Sequence, residues 1–152
     1  MLVHTEKQTD SVWDVKYVRG GLMDIEFIAQ YLMLRHAPAR PELIQPATVD
    51  ALCDLGEAGI LDPSDADALS AAAAFFKNVL QATRIACAPG PLPGAMSGGF
   101  ERRLPSLLGE DSLAAVEARL GSLQEQVRVA FARLTADRPV ATGRGARQKK
   151  AG

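Results

Sequence analysis

The sequence predicts an all-α protein: an antiparallel helical bundle of three long helices plus short ones, with a short extended N-terminal leader. Three observations carry this. Apolar residues recur at helical spacing in three long stretches, near 22–36, 62–87 and 112–136. Proline and glycine clusters separate those stretches at 38–46, 56–63 and 88–100. One segment alone, 12–18, alternates like a strand, and the chain offers it no convincing partner strand. A single domain of 152 residues buries about 68–70% of its unfolded surface, enough for its own core. Aromatic residues are only 5%, so that core is built mainly of Leu, Ala, Ile and Val.

The elements follow in order. Residues 1–11 are polar and loose. In "VWDVKYV", Trp13, Val15 and Tyr17 fall on one side and Val12, Asp14, Lys16 and Val18 on the other, a strand-like leader with one apolar face. Gly20 and Gly21 break it, because two glycines turn tightly at no steric cost. A helix then starts near Leu22 and runs to about His36, with apolar residues around most of its circumference, as suits a central helix. Pro38 and Pro41 end it. Thr48 is the expected cap of a short helix that reaches about Glu57, where Gly56 and Gly59 mark the stop.

The plainest helix signal follows. Asp62 is the N-cap candidate and Pro63 sits at N1, where its missing N–H costs nothing. Asp65 and Asp67 lie where the helix dipole favours negative charge, and alanines 71–74 allow close approach of a neighbour. This helix reaches about Cys87. Residues 88–100 read as a flexible or extended connection, and "ERRLPSLLG" as a short turn. Asp111 is the expected cap of the last helix, whose apolar stripe runs through Leu113, Val116, Leu120, Leu123, Val127, Ala130, Phe131 and Leu134.

Charge excludes some functions. Residues 137–152 carry five basic and one acidic residue and read as a basic disordered tail; residues 1–136 carry twelve basic and seventeen acidic. An acidic body does not attract a phosphate backbone, so no nucleic-acid partner is expected. No window holds 18 apolar residues free of charge, and "MLVHTEKQTD" lacks a secretory h-region, so neither a membrane nor export is expected and the location is cytoplasmic. Cys53 and Cys87 read as buried free thiols in helices, and His4 and His36 as surface or helix-end residues rather than metal ligands. "DPSDAD" at 62–67 reads as a helix cap rather than a metal loop. No metal ligand set and no catalytic set is assigned.

The remaining candidates cluster at the glycine turn. Asp24 lies in the first helical turn, where exposed N–H groups stabilise a carboxylate. Glu26 and Gln30 are four apart and share a face. A buried Glu26 would need a cation, with Lys16, Arg19 and Arg35 at hand. Alternatively, exposed N–H groups of Gly20 and Gly21, beside Lys16 and Arg19, could receive a phosphate or nucleotide edge. The spacing is neither a Walker A nor a dinucleotide fingerprint.

The whole stretch "DVKYVRGGLMDIEFIAQYLML", through Asp14, Lys16, Gly20, Gly21, Asp24, Ile25, Glu26, Phe27 and Gln30, resembles the signature of bacterial glutamine synthetase adenylyltransferases. The related PII-uridylyltransferases share its Gly-Gly-x-x-Asp part. "VDALCDLGEAGIL" and "LQATRIACA" also resemble the helical domain of that family. The resemblance implies a parent with two halves, each a nucleotidyltransferase domain followed by a helical bundle. One half attaches AMP from ATP, with Mg²⁺, to a tyrosine of glutamine synthetase; the other removes it.

On that reading residues 1–21 are the remnant of a nucleotidyltransferase domain, 22–136 the bundle of the C-terminal, adenylylating half, and 137–152 its tail. The family's paired catalytic aspartates lie upstream of this motif and have no counterpart here, so no cofactor is expected in this piece and activity is implied for the parent alone. Asp14, Lys16, Arg19, Gly20, Gly21, Asp24, Glu26 and Gln30 are then domain-junction residues, near the nucleotide. Asp24 and Glu26 would hold the join through Lys16, Arg19 or backbone N–H groups. Glutamine synthetase and the PII signal protein are the implied partners. A free-standing helical adaptor is the alternative.

Overall fold

The structure, a computed structural model, describes residues 11–86 and 98–136. Within them are five α-helices: α1 (Leu22–His36), α2 (Thr48–Glu57), α3 (Pro63–Ala86), α4 (Gly98–Leu107) and α5 (Leu113–Leu134), with a 3-10 turn at Pro41–Leu43. The described residues form no strand, and the three long helices are those the periodicity predicts.

One hydrophobic core joins all of them. α1 turns Leu22, Ile25, Ile28, Ala29, Leu32 and Met33 inward and packs against α2, α3 and α5. It is the central helix its composition predicts, although Gln30 and Leu34 stay outside, Leu34 at 69% exposure. α2 adds Ala51, Leu52 and Leu55. α3 adds Leu69, Ala72, Ala73, Phe76 and Val79. Gly56 lets α2 and α3 close up, since a Cβ there would stand 3.0 Å from the Cβ of Ala66. α5 presents Val116, Leu120, Val127 and Ala130, with one amide, Gln124, in the middle of that apolar stripe.

The helix ends are held by local chemistry. Asp62 Oδ1 accepts from the Ser64 N–H at 2.9 Å and from its hydroxyl at 2.7 Å, and Pro63 opens α3 as expected. These bonds hold the Asp62 carboxyl below its usual range, the side-chain bond contributing most. At α5 the cap is Ser112, not Asp111: its Oγ accepts from the Ala115 N–H at 3.1 Å. At α2 the N-cap position falls on Ala47, and Thr48 is already helical.

Three further expectations are corrected. Residues 12–18 are a run of turns rather than a strand. The Asp14 carbonyl accepts from Tyr17 at 3.1 Å and Val18 at 2.9 Å, which curls the segment and puts Trp13, Val15 and Val18 inside while Tyr17 stays half-exposed. With no partner strand, the backbone satisfied its donors locally. Residues 98–107 are helical despite Gly98, Gly99 and Pro105, because Leu104 and Leu108 are buried in the core and Pro105 falls in the last turn. Cys53 is exposed, on the outer side of the amphipathic α2. Cys87, His4 and the 137–152 tail lie outside the described residues.

Candidate functional site

The glycine turn is a closed joint. Gly20 has φ +81°, a conformation L side chains rarely adopt, and a Cβ there would sit 2.0 Å from the carbonyl oxygen of Gln124 in α5. Gly21 has φ −85°, but its Cβ would lie 2.5 Å from the Val15 carbonyl oxygen and 2.8 Å from that of Val18. Both glycines are therefore required by close approach, and the first also by its backbone angle.

Its donors are spent. Gly20 N–H donates to Asp24 Oδ2 at 2.6 Å. Gly21 donates to the Val18 carbonyl at 2.8 Å, Leu22 to that of Val15 at 2.7 Å, and Met23 to that of Lys16 at 3.2 Å. Asp24 thus reaches back from the first helical turn to the residue before the cap, one step further than a capping box. The expectation of exposed N–H groups at Gly20 and Gly21 is overturned: an anion could take these four only by breaking existing bonds.

The other predicted residues separate. Lys16 is half-buried, with Nζ 5.3 Å from the centroid of the Tyr17 ring. Arg19 and Gln30 are exposed, and Asp14 is half-buried. Glu26 is half-exposed and forms no ion pair or hydrogen bond among the described residues, so within the described residues the glycine turn is held by Asp24 and not by Glu26. Its neighbour Phe27 instead stacks on Tyr31 at 6.3 Å and meets Phe131 of α5 at 5.4 Å.

What sequence reasoning missed is α5. Trp13 Nε1–H donates to Glu117 Oε1 at 2.9 Å, and Gln124 Nε2 donates to the Val12 carbonyl at 2.7 Å, across more than a hundred residues. Gln124 is 1% exposed. Its signal was visible, a single amide at a core position between Leu120 and Val127, since a buried amide demands a fixed partner.

Elsewhere, α3 and α5 border a groove of about 320 Å³, lined by Leu69, Ala72, Val127 and Ala130. The Asp65–Arg133 ion pair beside it, at 2.8 Å, holds the Arg133 guanidinium above its usual range. Among the described residues no group of three His, Cys, Asp or Glu side chains could hold a metal ion, and no helix is long and apolar enough to cross a membrane.

Comparison with known proteins extends the motif. The sequence model of the family described as GlnD PII-uridylyltransferase matches residues 3–86, more than half of the chain. A bifunctional glutamine synthetase adenylyltransferase/adenylyl-removing enzyme from Rhodopseudomonas palustris is 37% identical over 129 residues, 85% of this chain and 13% of that protein. The enzymes of the same description from Xanthobacter autotrophicus and Bradyrhizobium diazoefficiens are 35% and 32% identical, over 87% and 83% of this chain and 13% of each relative. The chain thus spans about 13% of the length of the curated relatives it matches. No solved structure gives a significant match. The chain belongs to the family of PII-uridylyltransferases and bifunctional glutamine synthetase adenylyltransferases, of which it forms one small helical domain.

Proposed function

We propose that this chain is the helical domain following a nucleotidyltransferase domain in the C-terminal, adenylylating half of a glutamine synthetase adenylyltransferase. It positions or regulates that domain in the cytoplasm and offers a surface to glutamine synthetase or the PII protein. On its own it transfers no AMP. The observation that supports this reading is the closed joint at residues 12–24: the stretch bearing the family motif is fixed to the bundle on both α1 and α5. A fixed joint transmits orientation, and orientation decides whether a nucleophile meets a nucleotide productively. Lys16, half-buried, and Arg19, exposed, are the cations this joint would offer to the neighbouring domain and its ATP. Asp14, Gly20, Gly21, Asp24, Glu26 and Gln30 complete the junction, Glu26 and Gln30 as surface for the neighbouring domain.

The test uses the Rhodopseudomonas palustris relative with its matching 129-residue segment deleted. AMP incorporation into glutamine synthetase is measured with ATP and Mg²⁺ for this chain alone, for the deleted enzyme, and for the deleted enzyme carrying this chain in the gap. The proposal expects no incorporation from the first, a loss in the second and recovery in the third. Incorporation by the chain alone, or full activity of the deleted enzyme, contradicts it.

A further inference from the structure

We infer that Gln124 of α5 is a positioning residue that sets the line along which residues 11–13 meet the bundle, with Glu117 as a second point of attachment. The inference deepens the positioning role proposed above. α1 is continuous with the glycine turn, so it can fix the turn but not the direction of the chain before it. That direction is set where the chain touches something else, and among the described residues the two side-chain hydrogen bonds that reach Val12 and Trp13 both come from α5. Gln124 Nε2 holds the Val12 carbonyl at 2.7 Å, and Glu117 Oε1 holds the Trp13 indole at 2.9 Å.

The residues stand two turns apart on one helix, so they fix two points of the segment and hence its line. Gln124 also acts through its backbone: its carbonyl is the surface against which Gly20 is pressed. Removing a side-chain amide that is 1% exposed leaves the Val12 carbonyl without its partner and frees the segment at that point. The bundle core, built by Val116, Leu120 and Val127 on the same stripe, does not depend on that bond.

The only tryptophan of the chain is Trp13, so its fluorescence reports the segment alone. Acrylamide quenching and urea stability are measured on the full chain and four variants. Gln124→Met keeps the buried volume and removes the donor. Glu117→Ala removes the exposed acceptor, and Glu117→Gln keeps an acceptor oxygen. Val127→Ala is a core control that touches neither bond.

The quenching constant is expected to rise severalfold in Gln124→Met and about twofold in Glu117→Ala, to return to the wild-type value in Glu117→Gln, and to stay there in Val127→Ala despite its lower stability. Unchanged quenching in both Gln124→Met and Glu117→Ala overturns the inference. So does quenching that tracks urea stability across all variants, because Gln124 is then only a core residue. These readouts need no glutamine synthetase, so a failure here leaves the adenylyl-transfer proposal standing, and a failure there leaves this one.

Discussion

Replacing Gly20 by Ala separates two costs that the structure assigns to that residue. At φ +81° an L side chain costs about 1–2 kcal/mol in backbone strain. The added Cβ would also lie 2.0 Å from the Gln124 carbonyl oxygen, where ordinary contact begins near 3.4 Å, so the turn and α5 must part by about 1.4 Å. A shift of that size breaks the 2.7 Å bond from Gln124 to Val12, about 0.5–1.5 kcal/mol, and loosens the packing of Trp13 and Val15. Strain and the lost bond sum to about 1.5–3.5 kcal/mol before any loss of packing, offset by about 0.4–1 kcal/mol because Ala restricts the unfolded chain.

Gly59 supplies the control. Its φ is +73° and a Cβ there meets nothing within 4 Å, so Gly59→Ala carries the strain and the offset without the collision. Urea unfolding of both variants, followed by circular dichroism at constant slope, is expected to place Gly20→Ala at least about 1 kcal/mol below Gly59→Ala. Equal losses would refute the docking of the turn on α5, since strain alone would then account for Gly20.

Further outcomes follow from individual contacts. Glu26→Ala is expected to change urea stability by less than about 0.5 kcal/mol, because a half-exposed carboxylate without a partner among the described residues leaves nothing uncompensated; a loss above about 1 kcal/mol would reveal a hidden partner. Ser112→Ala is expected to cost about 1 kcal/mol and Asp111→Ala much less, which the same unfolding experiment checks, because Ser112 holds the Ala115 N–H. Asp62 has its carboxyl below the ordinary 3.8 in the fold, through its bonds to Ser64. The unfolded state therefore binds the proton first as pH falls, so the stabilisation is complete above the ordinary value and is lost as pH drops through the folded one. The acid limb of a melting-temperature profile should flatten in Asp62→Ala; an unchanged limb would deny the contact a role.

How much of this was legible turns on the range of the interactions. α1 starts after its glycine pair and stops before Pro38, α2 stops beside Gly56 and Gly59, and α3 starts behind its capping Asp62, because those signals act within one helical turn. The leader misled because alternation in "VWDVKYV" is a local pattern whose meaning depends on a partner strand. Without one the Asp14 carbonyl gathers Tyr17 and Val18, and Val18 turns inward with Trp13 and Val15. Ser112 and Asp111 are adjacent cap candidates, and only the extended backbone at Ser112, φ −153° and ψ 162°, distinguishes them.

The motif contains Gly20, Gly21 and Asp24, which meet in the turn, yet it could not name Gln124 or Glu117, which lie more than a hundred residues from the atoms they hold. The family motif thus marks only half of its own joint. The other half is a polar interruption of an apolar stripe, whose meaning appears only when the two segments meet.

The central claim is that residues 12–24 form a closed joint in which the N–H groups of Gly20, Gly21, Leu22 and Met23 are already taken. Amide hydrogen exchange at Gly20, Gly21, Leu22 and Met23 tests it most directly. Protection approaching that of the buried α3 amides around Phe76 is predicted, since each donor has an acceptor within 3.2 Å. Exchange at the rate of an unstructured chain at those four amides, with α3 still protected, would contradict it.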